Sequence, residues 1–501
     1  MSVVRAPRTH NNARPVIALL ALFAVSFGLR FYAASALHFD GLYGQDPYAY
    51  YNYGYQIREA VAQLKMPGPF YWPLGYPVVV AIGFALSGEQ PLGPQLLTML
   101  AGAGISVMAF LLTVEVSRAC GQSKRAARLA GLVAWAIVTV CGQLMQSSMV
   151  IMSDAPALLW VTLSAWAVVV YGRTRRPAWI ALSAFALALA TMTRLQYGTL
   201  ALPWALYVLL SPPIRWRHAM LAAIVGFVTF MPQIVHASQN PDVFVHHMWL
   251  EGWAPTNAFA HDFTTDDGTF HYDQSPAEYD AQPLYNPYFM SPIFTALIVL
   301  GVFVIGKHRA PLVLLIGWIV VQYGFLAGIP YENIRFMLAI VPPLAALAGL
   351  GAAWLINSSI LSSTLRWAVI MVMVYGLITT VIVSTPLINQ FVAAKNADLS
   401  AAQWIQAQIP EPNATVYCLD LLLTMQHYTT LHPVQVYEMT TDTLKTQLPQ
   451  TRPAYAVFNV WTTEHQWVGK SPWAIYHWLL DNPGLALVGT FGNYTLYRVN
   501  G

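Results

Sequence analysis

Runs of apolar residues, broken by short polar hinges, recur from residue 15 to residue 386. Such blocks, with charge confined to their ends, are what a bilayer demands of spanning helices, each about 20 residues long. The pattern predicts spans at about 15–33, 93–116, 128–147, 155–171, 178–193, 197–211, 219–236, 291–306, 311–329, 336–356 and 367–386. Several of these are shorter than a bilayer core, so their ends extend into flanking residues. Residues 34–92 and 237–290 interrupt the pattern as long polar loops. Within the first, the stretch from Pro73 to Ser87 is apolar but short and broken by Gly and Pro, which predicts an interfacial or re-entrant helix. From about residue 390 the periodicity changes. Ala402-Gln403-Trp404-Ile405 reads as helix, and Thr415 to Leu419, Val434 to Tyr437, Ala454 to Val460 and Tyr494 to Val499 read as short strands. The expected fold class is a polytopic α-helical membrane protein of about eleven transmembrane helices (1–389) carrying a small α/β domain (390–501).

Composition agrees with this pattern. The chain is 56% hydrophobic and 9% charged, against roughly 25% charged in soluble domains. The first apolar run lacks a small-residue cleavage pattern and is read as a retained helix. Cys120, Cys141 and Cys418 form an odd set without metal-like spacing, so neither a disulfide framework nor a zinc site is expected.

Charge distribution sets an orientation. With a cytoplasmic N-terminus, the alternate loops hold Arg5, Arg8 and Arg14; Arg118, Lys124, Arg125 and Arg128; Arg173, Arg175 and Arg176; Arg215 and Arg217; Lys307 and Arg309; and Arg366. Those are fifteen of the 25 basic residues, mostly in short loops, as the positive-inside rule requires. Loops 34–92 and 237–290 and the terminal domain then lie on the outer face. The expected location is the inner (cell) membrane, with the site outside.

Two acids stand at that outer surface. Asp46, in Gly44-Gln45-Asp46-Pro47-Tyr48, has the chemistry of a helix N-cap followed by Pro at the first helical position. Asp154, in Ser153-Asp154-Ala155-Pro156, opens a spanning helix, where the dipole favours an acid. Ionisable residues at membrane depth are costly and tend to be functional, so a cap role and a chemical role both stand for each.

The order of motifs resembles the GT-C superfamily of integral-membrane glycosyltransferases. The nearest branch contains the protein O-mannosyltransferases and the aminoarabinose transferase of lipid A. The resemblance rests on Asp46 in the first outer loop, the cluster Tyr71-Trp72-Pro73-Leu74-Gly75-Tyr76-Pro77, then Ser153-Asp154-Ala155-Pro156, Thr193-Arg194, and Arg335-Phe336 with Pro342-Pro343. Many relatives carry an Asp-Glu pair where this chain has Asp46-Pro47.

The resemblance implies inverting transfer of one sugar from a polyprenyl-phosphate donor to a glycan, lipid or protein acceptor at the outer face. Asp46 and Asp154 are the candidate catalytic residues, Asp46 as general base for the acceptor hydroxyl. Arg58, Lys65, Arg194 and Arg335 are candidates for the donor phosphate. Snorkelling is the alternative for Arg58 and Lys65, and pairing with Glu332 the alternative for Arg335. Tyr48, Tyr71, Trp72, Glu332, Trp249 and Trp253 are candidates for substrate contact, and Trp249, Trp253 and Tyr285 could stack on a sugar face.

Loop 237–290 also holds His246, His247, Glu251, Asp262, Asp266, Asp267, His271 and Asp273. Their spacing matches no zinc or calcium loop. The loop is read as solvated and acidic, serving as a lid if it orders over substrate. No cofactor is expected, a divalent metal being unsupported. The expected partners are the lipid-linked donor, the acceptor and membrane lipids, with no nucleic acid.

The rival readings are an oligosaccharyltransferase-like, metal-dependent transferase, a lipid-linked sugar transporter or flippase, and a non-catalytic membrane subunit. The chain lacks the Trp-Trp-Asp signature of the first. Its acids cluster at one surface rather than deep in paired broken helices, as the second would require.

Overall fold

The structure is a computed structural model that describes residues 13–213, 215–239, 241, 252–451 and 453–499. In chain order the helices of the first part are α1 (Ala13–Ala36), α2 (Gln45–Ala62), α3 (Gly75–Ser87), α4 (Leu92–Ala119), α5 (Lys124–Val140), α6 (Gly142–Met149), α7 (Asp154–Thr174), α8 (Pro177–Thr193), α9 (Ala201–Leu209) and α10 (Trp216–Ala237). A hairpin of β1 (Asp262–Thr265) and β2 (Gly268–His271) follows, then α11 (Pro276–Asp280), α12 (Ile293–Ile305), α13 (Arg309–Leu326), α14 (Val341–Asn357) and α15 (Ser363–Gln408).

Every expected span contains helix. Among the described residues seven helices are long and apolar enough to cross a membrane, or eight if α5 and α6, bent by 59° at Cys141, make one span. The other three expected spans are the shorter helices α8, α9 and α12, of 17, 9 and 13 residues. The break at Cys141 is stabilised from outside the helix, because Tyr288 O accepts from both Gly142 N (2.9 Å) and Gln143 N (3.2 Å).

Burial explains the arrangement. Residues 336–353 are buried without interruption, and α14 packs on α5 and α12 through small residues. A Cβ at Gly301 of α12 would collide with Leu347 O, and one at Gly351 of α14 with Leu297 O, so the two backbones lie in direct contact. This is the close approach that membrane helices use where apolar burial alone gives no preference for helix over lipid. By contrast α10 and the first half of α15 present Trp216, Met220, Phe227, Met371, Tyr375 and Ile382 outward. That apolar belt marks a multi-pass membrane protein.

Helix α15 runs for 46 residues through position 389 without a break and enters the terminal domain, where Ala401, Ala402 and Ile405 are fully buried. The domain consists of β3 (Thr415–Cys418), α16 (Leu422–Tyr428), β4 (His432–Gln435), α17 (Thr441–Gln447), β5 (Ala454–Asn459), α18 (Val460–His465), α19 (Ser471–Leu480), β6 (Leu485–Phe491) and β7 (Tyr494–Val499). Its sheet has the order β4-β3-β5-β7-β6, parallel across β4, β3 and β5 and antiparallel beyond. The end of α15 covers one face, while α17 and α19 cover the other.

Two expectations need correction. Residues 252–290 are not an unstructured loop: they include the β1–β2 hairpin and α11, with Phe263 and Asp280 buried, although Asp262, Asp266 and Asp273 are exposed as expected. The strands are four residues long and rich in Thr and Asp, which conceals them from a pattern reading. Strand β6 was also missed, since a register shift between Leu487 and Gly489 interrupts its alternation.

Candidate active site

The end of the bundle that carries α2, the hairpin and the terminal domain holds a cavity of about 340 Å³. Asp46, Arg335, Ser153, Tyr50 and Arg194 line its polar part, and Trp72, Pro73, Leu195, Phe230 and Phe325 its apolar part. These residues come from seven separate stretches of chain.

Asp46 lies in the first turn of α2 rather than at its cap. The helix begins two residues earlier than expected, at Gln45, and the cap position is Gly44 in a positive-φ conformation (79°). The carboxylate is therefore not spent on the helix end. It accepts from Arg335 Nη2 at 2.5 Å, both side chains being about one-fifth exposed (23% and 21%). Arg335 stands on the 3₁₀ segment Ile334–Ile340, which starts at Asn333, whose side chain accepts from Arg335 N at 3.3 Å. The same guanidinium places Nη1 2.5 Å from Met152 Sδ and packs over Phe336 at 5.7 Å. The alternative pairing of Arg335 with Glu332 does not occur. Glu332 lies before the 3₁₀ segment, and the extended backbone of Asn333 (φ −147°, ψ 116°) separates it from Arg335; Glu332 N donates to the Tyr272 hydroxyl at 3.4 Å.

Asp154 occupies the first position of α7, after Ser153. Its Oδ1 accepts from Arg194 Nη1, and both side chains are buried. Arg194 also packs over Phe336, at 5.1 Å. Phe336 thus lies under both guanidinium groups, an arrangement favourable to cations held away from water. Arg194 reaches the cavity wall, whereas Asp154 acts behind it. Tyr50 donates to Ser153 Oγ at 3.2 Å, which ties α2 to the start of α7.

The remaining wall depends on segment 63–74. Tyr50 and Trp72 rings meet at 5.4 Å, and Phe70 stacks on Tyr53 at 4.0 Å. Leu74 N donates to Gln233 Oε1 at 2.8 Å, and Tyr53 OH meets His236 Nε2 at 2.8 Å, so the end of α10 holds this segment in place. Gly75 lets α3 start directly against Met192 O and Thr193 Oγ1, where any Cβ would sit 2.7 Å from both.

The other candidates lie elsewhere. Arg58 pairs with Glu89 at 2.7 Å on an exposed face and covers Tyr55 at 4.8 Å. Lys65 is exposed and donates to Gln63 Oε1 at 3.0 Å. Tyr48 is buried against His427 and Tyr428 of the terminal domain, and Tyr71 packs on Trp72 at 5.5 Å. Trp253 donates to Phe325 O at 2.8 Å, just behind the cavity wall, and Tyr285 donates to Glu278 O at 3.0 Å. Trp249, with His246, His247 and Glu251, lies outside the described residues. Among the described residues no three His, Cys, Asp or Glu side chains gather into a metal-like group.

Two features escaped the sequence reading. Asp40 is held by Lys395 of α15 and by the Tyr428 hydroxyl, which anchors the terminal domain to the segment that launches α2. The second is the pairing of Glu332 with Asp280 of α11. Burial raises Glu332 to about 7, and burial together with the charge of Glu332 raises Asp280 to about 8. Asp40 had no local signal, since its partners lie 355 and 388 positions away, and nothing in the sequence joined Glu332 to Asp280.

Residues 72–236 match the family model described as dolichyl-phosphate-mannose-protein mannosyltransferase. Comparison with curated protein sequences finds no match. The fold is similar to the crystal structure of ArnT from Cupriavidus metallidurans bound to undecaprenyl phosphate, with a TM-score of 0.62 and 14% identity over 97% of this chain and 98% of that one. The same protein in its apo state gives 0.59 and 13%, over 97% and 98%. The oligosaccharyltransferase from Archaeoglobus fulgidus in complex with Zn and sulfate gives 0.59 and 13%, over 96% of this chain and 73% of that one. In fold along nearly its whole length, and in sequence over residues 72–236, the chain resembles the GT-C glycosyltransferases of the protein O-mannosyltransferase and aminoarabinose transferase branch.

Proposed function

We propose that the protein is an inverting glycosyltransferase, using a polyprenyl-phosphate sugar and acting at the outer face of the cell membrane. The observation that carries this reading is the cavity that joins a carboxylate and two guanidinium groups to an apolar wall. A lipid-linked phosphate presents those same two demands, and ArnT, a protein of this fold, binds undecaprenyl phosphate. The positive-inside distribution of Lys and Arg supports the outward orientation.

Asp46 serves as general base. It takes the proton of the acceptor hydroxyl as that oxygen attacks the anomeric carbon and the bond from that carbon to the phosphate oxygen breaks. The electron pair leaves on the lipid phosphate, which Arg335 stabilises with its charge and its fork of donors. Arg335 is engaged by Asp46. An arriving phosphate competes for that guanidinium and releases the base, so donor binding prepares acceptor activation. Arg194 supplies the second positive charge, held by Asp154 as a positioning residue. Phe230 and Phe325 flank the exit of the prenyl chain, and Trp72 packs against the glycosyl unit. Arg58, Lys65 and Tyr48 have no part in this reading.

The test is turnover by the purified protein in lipid nanodiscs supplied with undecaprenyl-phosphate sugars. Release of undecaprenyl phosphate and inverted anomeric configuration in the product are expected, and both persist in EDTA. Retention of configuration would overturn the mechanism. Loss of turnover in EDTA would favour the oligosaccharyltransferase-like alternative.

A further inference from the structure

Gln196 follows Arg194 by two residues on the 3₁₀ turn Leu195–Leu200 and lines the same cavity as Asp46 and Arg335. Its side chain is 3% exposed. The amide nitrogen donates to Gln322 Oε1 at 3.4 Å. Gln322, itself fully buried on α13, donates from Nε2 to Gln196 O at 3.2 Å and to Thr199 Oγ1 at 2.9 Å. Both protons of the Gln322 amide are thereby used, so its oxygen is the atom left to meet Gln196. This arrangement fixes which end of the Gln196 amide is which: nitrogen to Gln322, oxygen away from it.

That oxygen, Gln196 Oε1, is buried and has no hydrogen-bond partner among the described residues. A bare acceptor in a protein interior is costly, and most such groups are satisfied. Thr191, Thr193 and Thr199 line the same cavity, whose surface is otherwise largely apolar and includes Leu195, Phe230 and Phe325. An apolar cavity with a few polar groups suits a lipid-linked sugar, which brings a prenyl chain and hydroxyls together.

We infer that Gln196 is a specificity residue that accepts a hydrogen bond from a hydroxyl of the glycosyl unit of the donor, with the Gln322–Thr199 group holding its amide in register. The assignment rests on the reading proposed above. The contact of the Gln196 amide nitrogen with Gln322 Oε1 is long at 3.4 Å, so a small tilt of the amide brings Oε1 to the ligand while its nitrogen stays on Gln322. A site built around such a bond discriminates strongly against a donor that lacks the hydroxyl, because the buried acceptor is then left bare.

The test compares wild-type protein and Gln196→Met in nanodiscs, using undecaprenyl-phosphate hexoses, their monodeoxy analogues, and undecaprenyl phosphate alone. Gln196→Met should lower kcat/KM for the sugar-bearing donor by about tenfold or more. It should leave the Kd for undecaprenyl phosphate within about twofold. In the wild type, one monodeoxy donor should show the same loss, and Gln196→Met should add nothing to it. Equal losses for the sugar-bearing and sugar-free lipids would overturn the assignment, as would additive losses in the deoxy series. If Gln196→Met does not fold, the wild-type deoxy series with Gln322→Met decides: an unchanged preference among the deoxy donors refutes the inference. Failure of wild-type protein to turn over any polyprenyl-phosphate sugar would instead reject the reading on which it rests.

Discussion

Removing one member of the buried Asp154–Arg194 pair should cost far more than removing both. The two side chains are 4% and 6% exposed, and Asp154 Oδ2 is buried without a hydrogen-bond partner among the described residues. Desolvation of both charges opposes their attraction, and the unmet oxygen weakens the balance further. The pair as a whole therefore stabilises the fold little. Stripping one partner is different, because the other charge stays behind, at a cost of about 3–5 kcal/mol. Asp154→Leu and Arg194→Met should each lose about that much, whereas the double variant should lose less than about 2 kcal/mol. The cycle then gives a coupling of at least ~4 kcal/mol, well outside the ~0.5 kcal/mol within which independent sites add. The assay is equilibrium unfolding in mixed micelles, followed by intrinsic Trp fluorescence. A double variant that loses the sum of the two single losses would refute the reasoning, because the charges would then be stabilised separately by their surroundings.

Gly301→Val should prevent assembly of the bundle, costing about 3 kcal/mol or more, because the clash is with the carbonyl of Leu347, itself fully buried. The yield of monodisperse protein in detergent checks it, with Gly306→Val, where the nearest atoms stand at 3.4 Å, as the tolerated control. Lys395→Met should loosen the terminal domain by freeing Asp40, so limited proteolysis should cut residues 390–501 faster, while Lys395→Arg keeps the pair. The acid pair predicts a pH dependence. Glu332 and Asp280 sit near 7 and 8 when folded, above their ordinary values, so the folded loop holds protons that the unfolded chain releases. Their contribution is complete below about pH 4 and fades as pH rises through 7 to 8. Intrinsic-rate-corrected hydrogen exchange around residues 276–284 and 329–333 should therefore be faster at pH 9 than at pH 6. Asp280→Asn/Glu332→Gln should abolish that difference.

How far the site was legible depended on distance along the chain. Asp46, Asp154, Arg194 and Arg335 stand out because charge is scarce in an apolar sequence, and all four converge on one end of the bundle. Their partners could not be read. Arg335 has Glu332 three residues away, yet it reaches Asp46, 289 positions distant, because the helical segment starts only at Ile334 and the extended Asn333 leaves Glu332 outside it. Arg58 and Lys65 carry the same chemistry as Arg194 but face outward, and which side of α2 meets the bundle depends on tertiary packing. Gln196 carried no signal at all, since an amide at a helix end is unremarkable until its neighbours are known. Spans were legible from apolar length. The hairpin was not, because four-residue strands of Thr and Asp look like loop.

The central claim, that Asp46 is the base of a glycosyl transfer, is tested most directly by Asp46→Asn in nanodiscs supplied with an undecaprenyl-phosphate sugar and acceptor. Asn keeps the size and an oxygen for Arg335 but cannot take a proton. Acceptor-dependent turnover should fall by about 10²–10⁴-fold, while the protein stays folded and binds undecaprenyl phosphate at least as tightly, since Arg335 is freed from a competing charge. Turnover within about threefold of wild type would remove Asp46 from the chemistry and with it the mechanism proposed for this cavity.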